Sequence, residues 1–313
     1  MLNQKNLILI FSFLFYLLPA ALITGPFLSD LIITLLGIFF LIYSLRNKQW
    51  SYYNNIYTKF FCLFYSYLLI SSIWAEDTME SLKSSVPYIR FFLFTLAIVY
   101  LSKVNKNFYN LFFKFIFFTL IFLILDAYIQ FIFGKNIFNQ SAYYLRDAFT
   151  GTMTTRISGI FGDELIMGSY LMRMFPLFLI SYFFTSKVNN LSKKNYLFLF
   201  IIIVLFAISI VITSDRAPIV LFCFQIFLLF LFIKKFRKFF LILGTIIFLS
   251  LSSIILTDPI SKERIVNVTA SNFKGDYSDN KFTVISEAYE GHFNAANIIF
   301  KKFPFLGSGI KGF

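Results

Sequence analysis

Histidine occurs once in this chain, at position 292, and cysteine twice. With no CxxC spacing and no paired histidine, nothing suggests a disulfide framework, and Cys62 and Cys223, each inside an apolar run, read as packing residues. Charge is also scarce. Charged residues make up 14% of the 313, against roughly a quarter in soluble domains. Hydrophobic residues make up 58%, 47 of the residues are Phe, and mean hydropathy is +0.77. These values exclude a soluble domain and point to an integral membrane protein.

The apolar residues come in blocks of about the length that a helix needs to cross a ~30 Å hydrocarbon core at 1.5 Å per residue. The spacing predicts nine spans, at 7–24, 28–45, 57–74, 85–101, 108–133, 168–185, 196–213, 217–233 and 239–257. The fold class expected is therefore all-α, a polytopic transmembrane helical bundle with outer loops. Lys5 before "LPAALITG" resembles a signal peptide, but a second full-length run follows at once, which favours an uncleaved anchor. Residues 1–257 read as one membrane domain that includes an outer loop at 134–167. Residues 258–313 read as a further outer loop bearing His292, and the stop after "FLGSGIKGF" suggests a truncated protein lacking later helices. No internal repeat is visible.

The net charge of +13 has a pattern. Alternate connections carry Lys5; Arg46, Lys48 and Lys59; Lys103, Lys106 and Lys114; Lys187, Lys193 and Lys194; and Lys234, Lys235, Arg237 and Lys238, with no Asp or Glu among them. The other connections hold nearly all the acids, beginning with Asp30, Glu76, Asp77 and Glu80. Short loops rich in Lys and Arg stay in the cytoplasm, so the N-terminus is expected inside. The basic balance then reports topology and not nucleic-acid binding.

Charges next to apolar runs are the candidates for chemistry. "TSDRAPIVLF" sets Asp215 beside Arg216 in a tight turn between two spans, where the plain reading is an interfacial pair that ends two helices. Arg90 follows Pro87 early in the fourth span, Arg173 lies about one turn into the sixth, and Asp126 sits below the outer end of the fifth, as a structural partner for either arginine. At 1.5 Å per residue these lie roughly 7–12 Å inside the hydrocarbon. Charges at that depth face a polar cavity or one another, although both arginines have the alternative of snorkelling outward. Residues 134–167 add Arg156, Asp163 and Glu164, in a stretch with Gly159, Gly162 and Gly168, which reads as a polar re-entry loop, and His292 leads an amphipathic helix ending near Pro304. Gly307, Gly309 and Gly312 spell G-x-G-x-x-G, but no strand precedes them, so a nucleotide site is not expected.

"RISGIFGDELIMGSYL", "TSDRAPIV" and "GHFNAANIIFKKFPFLGSGIKGF" together resemble the signature regions of the O-antigen ligase and O-antigen polymerase superfamily. The resemblance implies a multi-pass enzyme of the bacterial inner membrane, active at its periplasmic face, that moves a glycan from undecaprenyl diphosphate to a glycan or lipid A-core acceptor. A chain-length regulator is a further implied partner. The family's two essential arginines and one histidine correspond to Arg156, Arg216 and His292, and Arg173 and Arg90 are secondary diphosphate candidates. Asp163, Glu164 and Asp215 would orient these groups, or serve as the base if His292 only positions the acceptor. Guanidinium groups bind a diphosphate bidentately and stay charged. They would stand in for a metal, and no carboxylate cluster has metal-ligand spacing, so no metal or cofactor is expected.

In the lipopolysaccharide ligases a small polar residue follows the histidine directly and a glycine comes nine positions later. Here Phe293 follows His292, Asn294 is the nearby polar match, and Gly307 lies fourteen residues beyond Phe293, which favours a polymerase-like member over a ligase proper. A transporter or flippase for an anionic lipid-linked substrate is the alternative class. It would have the same spans and cationic cavity, and also inverted repeats or broken helices, which are not detected here.

The charge pattern makes a topological prediction. Cysteines placed at positions 48, 103, 193 and 235 should be shielded from an impermeant thiol reagent in intact cells, and those at 78, 140 and 275 should react. Labelling at position 193 from outside would overturn the assignment.

Overall fold

The computed structural model describes residues 4–146, 153–185, 193–233, 237–257, 262, 266, 287–305 and 307–310. Two compact units are present, one of residues 1–108 with 285–313, the other of residues 109–284. Of the expected connections, 186–192 and 234–236 lie outside the described residues, as does most of the expected outer loop before residue 287.

The first unit contains α1 (Gln4–Ala21), α2 (Pro26–Arg46), α3 (Ile56–Ile73), α4 (Thr78–Ser85) and α5 (Ile89–Val104), together with the last helix, α11 (Glu287–Lys302). Local chemistry sets the helix starts. Pro26 opens α2, where its missing N–H is no loss, after Gly25 at φ +115°. Asn55 caps α3 by accepting from the Thr58 amide at 2.8 Å, and Asp77 caps α4 by accepting from the Glu80 amide at 3.0 Å. Pro87 lies in the 3-10 turn Val86–Tyr88, through which α4 and α5 continue as one apolar stretch, Thr78–Val104.

Gly37 lets α2 lie close to α5, because a Cβ there would sit 3.2 Å from the Leu93 Cβ. Across the same pair of helices, Arg90 Nη2 donates to Asp30 Oδ2 at 2.8 Å. At the basic end of these helices Tyr43, Tyr52 and Phe40 surround Tyr100, with Tyr43 and Tyr100 centroids 4.5 Å apart. The C-terminal segment docks on the corner between α3 and α4. Lys302 pairs with Glu76, and Gly309 (φ +83°) lies where an added Cβ would come within 2.5 Å of the Ala75 Cβ and 2.7 Å of Ser81 Oγ. The glycines set aside as a nucleotide motif therefore include one that serves close packing.

The second unit contains α6 (Phe108–Phe133), a hairpin of β1 (Tyr143–Arg146) and β2 (Met153–Arg156), α7 (Met167–Thr185), α8 (Lys193–Ile212), α9 (Arg216–Phe232) and α10 (Arg237–Thr257). The strands pair antiparallel, Tyr143 opposite Arg156 and Arg146 opposite Met153. Among the described residues the fold is thus helical except for this hairpin and an isolated bridge of Lys135 with Ser141, and the hairpin falls in the segment expected to be a polar re-entry loop. Phe175, Phe206 and Phe222 meet between α7, α8 and α9, the Phe175 ring 4.8 Å edge-on from Phe222 and 5.5 Å from Phe206.

The nine expected apolar runs overlap helices, although the first (7–24) runs past the end of α1 at Ala21 and the fourth (85–101) crosses the Val86–Tyr88 turn into α5. Among the described residues, five helices are long and apolar enough to cross a membrane: Pro26–Arg46, Ile56–Ile73, Thr78–Val104, Phe108–Phe133 and Met167–Thr185. Lys5–Ala21, Leu197–Ile212 and Arg216–Phe232 are apolar but shorter. Leu9, Phe27, Phe60, Leu63, Phe118 and Val220 are exposed on these helices, an apolar surface that water would not tolerate and lipid does. The chain is membrane-embedded. Cys62 and Cys223 correct one expectation, since both thiols lie on exposed faces and not in the packed interior.

Gly309 and Gly307 separate crowding from backbone strain, since both have positive φ (+83° and +71°) but an added Cβ at Gly307 meets nothing within 4 Å. Gly309→Ala should destabilise the first unit by about 1–3 kcal/mol more than Gly307→Ala in thermal unfolding in detergent. Equal losses would show that docking at Ala75 and Ser81 adds nothing.

Candidate functional site

The site is built from the end of α6. Asp126 and Gln130 are one turn apart on this helix and both are fully buried. Gln130 Oε1 accepts from the amides of Ser158 and Gly159 at 3.1 and 2.7 Å. Asp126 Oδ1 accepts from the Ile137 amide at 3.0 Å. Asn136 completes the arrangement. Its Nδ2 donates to the Gly159 carbonyl at 2.9 Å, and its Oδ1 accepts from the amides of Phe138 and Gln140 at 3.0 and 2.8 Å. Gly159 (φ +56°) is needed here, because a Cβ would stand 2.9 Å from both Asp126 Oδ2 and Met167 Sδ.

This polar clamp fixes the segment that leaves β2, and Arg156 is the last residue of that strand. The α8–α9 turn arrives from the other side. Ser214 adopts φ +53°, uncommon for a residue with a side chain, and Gly168 of α7 gives the turn room, since a Cβ there would lie 2.6 Å from Thr213 Oγ1 and 3.4 Å from the Asp215 Cβ. Arg156 Nη2 consequently pairs with Asp215 Oδ1. The two side chains retain only 14% and 20% of their exposure, so the pair is shielded in a way that surface pairs are not.

Burial pushes the Arg156 guanidinium below its usual pKa; Asp215 opposes that shift and the neighbouring charge of Arg216 adds to it. A guanidinium remains charged throughout the working range nonetheless. Two guanidinium groups, Arg156 and Arg216, and the Asp215 carboxylate therefore act on one another here. Arg156 Nε is buried and has no hydrogen-bond partner among the described residues. Asp215 is the N-cap residue of α9 but makes no side-chain cap bond, and the positive end of the α9 dipole lies at Arg216. The arrangement favours an anion with several oxygens.

The other expected residues are distributed differently. Asp163 and Glu164 are exposed and line an open cleft of about 700 Å³ with Gln140, Ser141 and Phe161. Arg173 is exposed, stands roughly 140° round α7 from Gly168 at 3.6 residues per turn, and has no ion-pair partner among the described residues. Arg90, expected as a diphosphate ligand, is instead engaged by Asp30 in the first unit. Asp126, expected to partner an arginine, bonds the Ile137 amide, because α6 ends where the chain turns back over it. His292 lies exposed on α11 of the first unit. Sequence reasoning missed Gln130, Asn136 and Gln140. The available signal was the four-residue spacing of Asp126 and Gln130 at one end of an otherwise apolar helix, repeated by Asn136 and Gln140 just beyond it.

No protein-family model, curated protein or solved structure matches the chain.

The clamp makes a prediction about stability. Gln130→Met keeps the side chain's length but orphans two buried amides, at a cost of about 1–3 kcal/mol for each. Gln225→Met is the control, because among the described residues Gln225 Oε1 has no hydrogen-bond partner and its Nε2 donates to Met172 Sδ at 3.2 Å. Thermal unfolding should show a clearly larger loss for Gln130→Met. Equal losses would mean that the clamp does not anchor the segment leading to Arg156.

Proposed function

We propose that the chain is an O-antigen polymerase-like glycosyltransferase of the bacterial inner membrane, acting at its periplasmic face. A ligase proper is the close variant of the same reading. The donor is a glycan on undecaprenyl diphosphate and the acceptor is a sugar hydroxyl. The observation that supports it is the grouping of Arg156, Asp215 and Arg216, two guanidinium groups to one carboxylate, at the start of α9.

In the transfer, the acceptor oxygen forms a bond to the anomeric carbon while the bond from that carbon to the phosphate oxygen breaks. The electron pair leaves with the diphosphate, whose added negative charge the two arginines stabilise. The hydroxyl proton passes to a base, and the resemblance assigns that task to His292, whose imidazole accepts a proton when neutral. Asp215 holds Arg156 in its direction. The cleft at Asp163 and Glu164 offers carboxylate and amide groups suited to sugar hydroxyls.

The test is reconstitution of the full chain with undecaprenyl-diphosphate-linked glycan and each type of acceptor, reading product size on a gel. A ladder of repeats identifies a polymerase, one transferred unit on lipid A-core a ligase, and movement of donor across the bilayer without transfer a flippase. Arg216→Lys and Arg156→Lys keep the charge but lose the planar fork. Each should lower transfer by about 10²–10³, the weight of a preorganised transition-state donor. An ion pair that only closes two helices contributes about 0–1 kcal/mol to stability, so near wild-type transfer by a folded Arg216→Lys would overturn the diphosphate role. Asp215→Asn should be milder than either arginine change. His292→Ala should abolish transfer while donor binding is kept.

If arginines supply the electrophilic stabilisation, transfer should survive exhaustive chelation with EDTA. Loss of activity that Mg²⁺ restores would show that metal ligands have been overlooked.

A further inference from the structure

Within the first unit, α3 and α5 meet at one level and part at another. Phe61 stacks on Phe92 at 4.4 Å with an 8° interplanar angle, and Tyr65 donates to the Val86 carbonyl at 3.0 Å. Toward the start of α3 and the end of α5 the two helices enclose a crevice of about 770 Å³, floored by that stack and lined at the opposite end by Gln49, Asn55 and Lys103. Its volume is that of an ordinary small-molecule site. From Phe92 to Lys103 the wall runs eleven residues of helix, roughly 16 Å, which is about half of a ~30 Å hydrocarbon core. One leaflet of a bilayer has this depth.

The lining changes character along that length. Near the floor it is Phe61, Phe91 and Phe92; at the mouth it is amide, hydroxyl and ammonium. Thr58 lies in the wall at 9% exposure, and its Oγ1 has no hydrogen-bond partner among the described residues. Helical threonines usually satisfy the hydroxyl on the carbonyl one turn back, but here that carbonyl belongs to Asn54, before the helix begins. Lys103 Nζ rests 4.9 Å over the Tyr52 ring and has no carboxylate partner among the described residues. Arg46, Lys48, Lys59 and Lys106 belong to the same helix ends and connections, and residues 46–59 and 102–107 contain no Asp or Glu.

We propose that this crevice is a binding site for a single anionic phospholipid, with the headgroup phosphate at Lys103 and the Thr58 hydroxyl and an acyl chain descending to the Phe61–Phe92 stack. A zwitterionic lipid would fit the same space but leave the basic mouth uncompensated. The site is independent of the transferase reading, since none of the residues assigned to that reaction lines the crevice.

The test uses the delipidated full chain in neutral detergent, with bound lipid counted by native mass spectrometry. Dimyristoyl phosphatidylglycerol and dimyristoyl phosphatidylcholine are supplied at equal concentration. One phosphatidylglycerol should be retained in preference to phosphatidylcholine, and Lys103→Glu should lower its occupancy by about fivefold or more, the weight of one basic residue beside an anionic lipid surface. Thr58→Val should lower retention of phosphatidylglycerol; a purely structural hydroxyl would leave it unmoved. Thr95→Trp fills the crevice from an exposed, lipid-side position and should remove both lipids while the chain still unfolds at its normal temperature. Equal retention of the two lipids, or no effect of Lys103→Glu, would overturn the proposal. Displacement by soluble glycerol 3-phosphate at the same concentration would identify a free phosphate site instead. A wild-type dimer that Thr95→Trp dissociates would identify a second copy of the chain as the occupant.

Discussion

Gln130 Oε1 accepts from two backbone amides, Ser158 at 3.1 Å and Gly159 at 2.7 Å, and the position of Arg156 depends on that pair of hydrogen bonds. An unpaired amide in an apolar surround costs more than almost any packing adjustment, so the chain leaving β2 has little freedom to settle elsewhere. Asn136 bonds the Gly159 carbonyl and also closes its own turn onto Gln140. Two loops are thus tied to one helix end by side-chain amides. Gly159 admits the arrangement by having no Cβ.

What this anchoring achieves is electrostatic. Arg156 is held where it is largely shielded from solvent and where one carboxylate, Asp215, answers two guanidinium groups. A fully neutralised cluster would have no attraction for an anion, and an unpartnered buried arginine would strain the fold. One carboxylate for two arginines satisfies both demands. The first unit resolves the same problem differently, since Arg90 and Asp30 match one to one across α2 and α5. That pair closes on itself, one charge against one.

The membrane imposes the remaining pattern. Large apolar side chains cover the outside of the helices, and the interior is filled by aromatic contacts such as Phe175 with Phe222 and Tyr43 with Tyr100. Where α3 and α5 separate, the same logic leaves a crevice apolar at depth and basic at its mouth, so that its polarity follows the bilayer's own. Thr58 and Gln130 are both buried, one with its hydroxyl unpaired and the other fully engaged.

The sequence by itself determined the helices, their membrane character and the charged positions beside the apolar runs. Helix formation and hydropathy are set by residues within one segment, and the caps at Asn55 and Asp77 and the opening proline of α2 are just as local. Arg156, Asp215 and Arg216 were recognisable as unusual because any charge is unusual at such places. Only the tertiary structure decided who pairs with whom. Arg156 meets Asp215 across 59 residues and Arg90 meets Asp30 across 60, whereas Asp126, a candidate partner for Arg90 or Arg173 by sequence, turns to the Ile137 amide. The hairpin, the amide clamp and the docking of Gly309 belong to the same class. A carboxylate in an apolar chain must find a donor, but which donor depends on the helix ends that arrive beside it, and no local spacing encodes that.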